Sequence, residues 1–299
     1  MHKSVWYMLL MILAASGLGL TATLVDFLYQ HGYSIEDLTN SQYGFAVVLV
    51  WLVLLPSLKS QRLPQGKKSW ILIILTGVSG ALAMVFYFQS LKYLSVSFSI
   101  VLLFQFTWII MLIDIVVRKQ LPALEKWLGM ATILVGTVLS VGLLDTQATQ
   151  LNFKGLFLGL AAALCFAISL YVPEFIDHAT TPLWKAAFTL TVSAITLLPI
   201  YPPAYLTSGV LGQGLFWWGI LIAIIGQLIP ILFMMIAIPR IGGRMAGILG
   251  SVELPVTVFT AWWILDDHVS FLRWMGVVMI IVGVLISELW KRPIKFEIS

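Results

Sequence analysis

The chain has 299 residues, 60% of them hydrophobic and 10% charged, with 17 lysines and arginines against 13 aspartates and glutamates for a formal net charge of +4. A soluble domain carries about 25% charged residues, so this composition, with a mean hydropathy of +1.01, excludes a soluble core and points to a chain embedded in lipid almost from end to end. The modest positive charge calls for no nucleic-acid partner, the single Cys165 allows no internal disulfide or thiolate cluster, and His2, His31, His178 and His268 lack metal-ligand spacing, so no cofactor is expected.

Apolar segments of about 20 residues, long enough to cross a hydrocarbon core, recur with short polar gaps. They predict an all-α polytopic membrane protein with spans at 5–29, 40–58, 69–90, 96–118, 124–144, 154–175, 183–201, 212–236, 243–265 and 270–290. The first run follows His2 and Lys3 and resembles a signal peptide, but it continues past Val25, which is too long for a cleaved segment, and it is read as an uncleaved span. With the N-terminus inside, all the lysines and arginines except Lys92, Lys154 and Arg273 fall on cytoplasmic segments, so both termini are expected in the cytoplasm of a cell-membrane protein. One inner connection is discordant, carrying Glu174, Asp177 and His178 with only Lys185 nearby. Asp114 and Arg118, four apart on one helix, are expected to pair locally near the inner surface.

The chain repeats itself. Lys126 to Ser140, KWLGMATILVGTVLS, aligns without a gap on Arg273 to Ser287, RWMGVVMIIVGVLIS, at an offset of 147, matching Trp127 with Trp274 and the glycines 129 and 136 with 276 and 283. Two halves of five spans, 1–146 and 147–299, must run in opposite directions across the bilayer, and such inverted repeats place a solute site near the midplane between the halves.

The ninth span, from Gly242 to Leu265, carries Glu253 near its centre, roughly 15 Å from Gly243 at ~1.5 Å per residue. A charge there costs about 2.5 to 3.5 kcal/mol on insertion scales, so the carboxyl must be neutral, paired or beside a wet cavity. Gly243, Gly247, Gly250, Thr257 and Ala261 share its side of the helix, and Pro255 is expected to release the carbonyl of Ser251. The eighth span repeats the device with Gln227 and Pro230, which should free the carbonyl of Gly226. From the first half come Gln105 and Trp108 in the fourth span and Tyr87 toward the outer end of the third. Gln105, Trp108, Gln227, Ser251 and Glu253 are expected to line one cavity, with Tyr87 beside it, suited to an amphipathic or cationic solute. The bland alternative is a buried Glu253 serving only helix packing. Two further acids are candidate gates: Asp26 by the outer mouth, with Lys92, Lys154 or Arg273 as partner, and Glu174 by the inner one, with Lys185, Arg240 or Arg244. Their alternative is interfacial charge that marks a helix end.

Ten spans in two halves, with the phrases GSVELPVTVFTAWWILDD and GVVMIIVGVLIS, resemble the second repeat of EamA-type members of the drug/metabolite transporter superfamily. SIVLLFQFTWIIMLI and ATILVGTVLS form a weaker copy in the first half. The family commonly has a proline after the acid and an acidic residue at the end of the same helix in both halves. Pro255 and Asp267 match in the second half, whereas the first has Trp108 and Gln120, and Phe106 stands where Glu253 would be. The resemblance thus implies an asymmetric site, an aromatic first half meeting a polar second half.

The expected function is secondary transport by alternating access of small amphipathic metabolites such as amino acids, amines or drug-like solutes, as a proton-linked exporter with Glu253 as carrier if coupling exists. The alternatives are an uncoupled facilitator, a channel or scaffold, and an intramembrane enzyme on lipid-linked substrates. The last needs convergent acid, base or metal ligands at one depth, which the sequence does not place together, so the chain is not expected to be an enzyme. The partners expected are the solute, the bilayer and protons, with monomer and homodimer both open.

Overall fold

The computed structural model describes residues 2–141, 152–266 and 268–289, and among these it contains helices and no strand. The 146/147 boundary, Asp267 and the basic tail after the last helix lie outside the described residues.

Helix occupies all ten expected places. The first three are α1 (His2–Gln30), α2 (Ile35–Leu54) and α3 (Gly66–Ser90). The fourth is divided into α4 (Val96–Leu103) and α5 (Phe106–Arg118), and α6 (Leu124–Ser140) completes the first half. The second half holds α7 (Phe153–Tyr171) and α8 (Pro182–Leu197), then α9 (Leu215–Ala223) joined to α10 (Ile229–Ile241) by a π-turn at Ile224–Leu228. The ninth place is divided into α11 (Gly243–Gly250) and α12 (Glu253–Ile264), and α13 (Phe271–Leu289) is last. Seven of the helical stretches, taken through their breaks, are long and apolar enough to cross a membrane, while α6, α8 and α13 supply shorter apolar helices.

Local chemistry sets the ends. The second span begins at Ile35, five residues before the expected 40, because the Ser34 hydroxyl caps it by accepting from the Asp37 N–H at 3.0 Å, with Glu36 and Asp37 in the positive first turn. Ser95 caps α4 and Asn152 caps α7 in the same way. The sixth span tightens at Pro173 into a 3₁₀ turn, Val172–Phe175, which carries Glu174.

The two divided spans break at equivalent places, since Phe104 and Gln105 shifted by 147 fall on Ser251 and Val252. Only the second break has a proline, and there the carbonyl of Ser251 is not released as expected: the Leu254 N–H takes it at 3.2 Å in a tighter turn. In the first break the Gln105 N–H turns to Leu102 at 3.1 Å, and the carbonyl of Val101 accepts instead from Gln105 Nε2 at 2.9 Å. In the second, Ser251 Oγ donates to Ile248 at 2.6 Å. Each break carries a polar side chain that bonds back to its own helix, as a water-poor medium requires.

Contacts between the halves follow the offset. The packing of α1 on α10 is mirrored by α7 on α3, that of α1 on α12 by α7 on α5, and that of α2 on α9 by α8 on α3. Two pairs are their own mirror images: α2 with α8, and α6 with α13. The last pair is antiparallel and nearly touching. A Cβ on Gly136 would lie 2.8 Å from the carbonyl oxygen of Gly276, and one on Gly129 would lie 2.7 Å from that of Gly283. At the ends, Lys126 donates to the carbonyl of Ser287 and Arg273 Nε to that of Ser140 at 3.1 Å, so each helix supplies the cation that caps its partner's C-terminus. The main core, around fully buried Met11, Ala14, Phe106, Ile110, Ala167 and Ala246, lies where α1, α5, α7 and α11 meet.

Gly136→Ala is expected to destabilise the protein by about 1 to 3 kcal/mol, because the atoms its methyl would meet include backbone that cannot rotate away. Gly212→Ala, where nothing lies within 4 Å, should be neutral. Thermal unfolding of the purified variants checks both.

Candidate functional site

Glu253 opens α12, the half-helix that starts at the second break, so its carboxylate stands at the positive end of that half-helix's dipole. It is partly accessible, and among the described residues none is hydrogen-bonded to it. Tyr87, from α3, lies near enough for charge on Glu253 to act on its phenol. The backbone behind the acid is closed: a methyl on Gly19 of α1 would collide with the Glu253 carbonyl, and Thr257 Oγ1 reaches that carbonyl at 2.9 Å and that of Gly19 at 3.3 Å. Thr23 and Thr260 continue this seam, their hydroxyls 2.7 Å apart.

The small residues expected to border a wet face are mostly packed instead. A Cβ on Gly243 would press on Tyr171 at 2.6 Å and one on Gly247 on Ile110 at 2.7 Å, while Thr257 is taken up by α1. Glycine on this helix is required by close approach of neighbouring helices, which the spacing alone does not distinguish from a cavity wall.

Gln105 and Trp108 form one unit: the amide oxygen of Gln105 accepts from Trp108 Nε1 at 2.7 Å while its nitrogen serves Val101, and both side chains are half-buried. Ser251 is fully buried with its hydroxyl turned to Ile248, so it presents nothing to a solute. Gln227 is 5% exposed on the π-turn and lies close to the Tyr43 side chain. Gly17 of α1 packs on the carbonyl of Ile225 and Gly19 on that of Glu253, and positions two apart face opposite sides of a helix. The backbones bearing Gln227 and Glu253 therefore lie on either side of α1. Of the five residues expected around one cavity, Ser251 lines none, and Gln227 is grouped with Tyr43 on α2 rather than with Glu253.

At the end of the bundle that holds Arg118, a charge network extends beyond the pair expected from the sequence. Asp114 and Arg118 pair on α5 as expected, with Arg118 Nε 2.7 Å from Asp114 Oδ1. Asp114 is 2% exposed, and it also accepts from Tyr171 at 3.0 Å and has Arg244 Nη1 3.3 Å from its second oxygen, an ion pair whose angle is too poor for a hydrogen bond. Glu174 binds Arg118 and accepts from the Gly243 N–H at 2.8 Å, capping α11. None of its expected partners is used. Lys185 is buried with Nζ 3.5 Å from the carbonyl of Ile176, Arg240 stacks on the Tyr7 ring, and Arg244 goes to Asp114. The 3₁₀ turn after α7 brings Glu174 to Arg118 and the start of α11 rather than to α8. The network thus joins α5, α7 and α11. Gly242, with φ +86, joins the end of α10 at Ile241 to the start of α11 at Gly243, so Arg240 and Arg244 flank one tight turn; the clue in the sequence was Asp114 lying deeper than Arg118 with two arginines of the second half at the same level.

Asp26 is exposed and accepts from Gln30 Nε2 at 3.3 Å on its own helix. Its side of α1 is open, since Ala22, one turn back, is exposed too. Two of its candidate partners are engaged elsewhere, Lys154 over the Tyr93 ring at 4.9 Å and Arg273 at the end of α6.

Comparison with known proteins agrees with this architecture. The profile of the EamA-like transporter family matches twice, over residues 5–142 and 153–289, one match in each half. Among solved structures, one described only as the crystal structure of a protein is similar at a TM-score of 0.71 and 16% sequence identity, covering 96% of this chain and 97% of the other, a likeness of fold. No curated protein gives a significant match. The chain belongs to the EamA-like transporter family of the drug/metabolite transporter superfamily, and is an integral membrane protein.

Proposed function

We propose that the chain is a secondary transporter working by alternating access, with ten spans in two inverted halves and both termini in the cytoplasm of a cell-membrane protein. Its solutes are small and amphipathic, amino acids, amines or drug-like cations, and protons exchange with them at Glu253 as they are exported. One observation carries the reading: a partly accessible acid at the break between α11 and α12, within electrostatic range of Tyr87 and unpaired among the described residues. A structural carboxylate in this medium would be bonded to a neighbour, as Asp114 is. Gln105 and Trp108, at the matching break of the first half, supply an amide and an aromatic edge for the organic part of the solute. The network of Glu174, Arg118, Asp114 and Arg244 serves as the inner gate, holding α5, α7 and α11 together, and Asp26 acts at the outer end.

A solute is sought by thermal shift against amino acids, amines, nucleosides and sugars, since a ligand that binds only the folded form raises its stability by mass action. With that solute in proteoliposomes, the wild-type protein is expected to respond to an imposed pH gradient, and Glu253→Gln to transport without that response. Full pH dependence in the variant removes the proton role, and a wild-type protein indifferent to the gradient identifies a facilitator. For the gate, Arg118→Ala leaves buried Asp114 with one cation and should cost about 3 to 5 kcal/mol. Glu174→Ala removes a cap and an exposed ion pair and should cost about 1 to 3 kcal/mol. Unfolding measurements that reverse this order remove Asp114 from the centre of the network.

A further inference from the structure

Beside the inner network lies a cavity of about 300 Å³, bounded by Pro239 to Met245 of α10 and α11 and by side chains of α5, α6 and the turn after α7. Its charged walls are Asp114, Arg118, Glu174, Arg240, Arg244 and Lys126. Four cations thus face two carboxylates. The carboxylates are already committed: Arg118 binds both and Arg244 holds the second oxygen of Asp114. What remains toward the cavity is positive. Arg240 is exposed, its guanidinium 5.9 Å from the centre of the Tyr7 ring, and no carboxylate among the described residues pairs with it. Lys126 lines the same cavity and donates a hydrogen bond to the Ser287 carbonyl.

At ~30 Å³ per molecule a polar hollow of this size takes about ten waters, enough space for a tetrahedral anion with part of its hydration. A guanidinium presents a planar fork of donors that matches phosphate oxygens in pairs, and basic pockets between membrane helices hold lipid headgroups on this principle. Ile241 and Met245 give the same cavity an apolar wall, which a free anion does not use and the glycerol end of a lipid does.

We propose that this cavity is a phosphate-binding site, taking a phosphomonoester or phosphodiester group with Arg240 as its principal ligand, separate from the Glu253 site and independent of the solute. The source is an anionic phospholipid of the inner leaflet or a soluble phosphate. The test uses the purified, delipidated full-length protein, with phosphatidylglycerol, phosphatidylcholine and inorganic phosphate as probes, read by thermal shift and by native mass spectrometry. Phosphatidylglycerol is expected to bind and stabilise the protein and phosphatidylcholine to do so far less. Arg240→Gln should weaken phosphatidylglycerol about tenfold, the loss of one charge-assisted hydrogen-bonding group, and Arg240→Lys should retain most of it. Should Arg240→Gln fail to fold, Met245→Glu, which adds an acid to the cavity wall, is expected to give the same loss. An Arg240-dependent shift with inorganic phosphate alone identifies a soluble ligand, and one with phosphatidylglycerol alone identifies a lipid; either supports the site. Equal binding of both lipids, no binding of phosphatidylglycerol or phosphate, or wild-type affinity in the folded variants overturns it.

Discussion

Every backbone amide inside a bilayer must find its partner within the protein, and this one constraint shapes the functional middle of the molecule. A helix satisfies it automatically, so an interruption has to be compensated locally. Both interruptions are. At the first, the Gln105 side chain takes the Val101 carbonyl that the turning backbone leaves behind. At the second, Leu254 tightens onto Ser251, whose hydroxyl closes on Ile248. What is left over from these repairs is a pair of new helix starts deep in the protein, one occupied by Phe106 and the other by Glu253. The two halves thus share a backbone device and differ in the chemistry placed on it.

The same asymmetry appears at the ends. Shifting Asp114 and Arg118 by 147 gives Ala261 and Leu265, so this ion pair has no ionic image in the second half. One mouth is held by buried ion pairs and the other by hydroxyl and amide contacts such as Tyr33 to the carbonyl of Gln213 at 2.8 Å and Asn40 to that of Pro202 at 3.1 Å. Buried ion pairs are strong when whole and costly when half-broken, whereas neutral hydrogen bonds are readily exchanged for water. The energetic terms for opening the two sides are therefore different in kind.

The spans were legible because apolar length is read directly against membrane thickness, and the second repeat because its tryptophan and glycines stand at fixed intervals. The break in the fourth span was not. No proline marks it, and Gln105 in an apolar helix reads as a ligand as readily as a repair. The packed small face beside Glu253 was misjudged for a related reason: a glycine stripe reports that something comes close without saying whether it is a helix or a solute. Glu174 was expected near Arg240 and Arg244, yet its partner depended on the 3₁₀ turn at Pro173, a change of direction that spacing along one helix does not encode. Side chains that serve only their own helix, such as Ser251, are likewise invisible until the hydrogen bonds are traced.

The crossed caps on α6 and α13 fix more than an end. A slide of either helix by one residue would turn it about 100°, bringing side chains onto the glycine seam and pulling both Lys126 and Arg273 off their carbonyls at once. Such a pair cannot creep; it keeps its register or separates. The last helix of each half is thereby locked to its counterpart, a fixed seam about which the alternating access proposed above would have to turn.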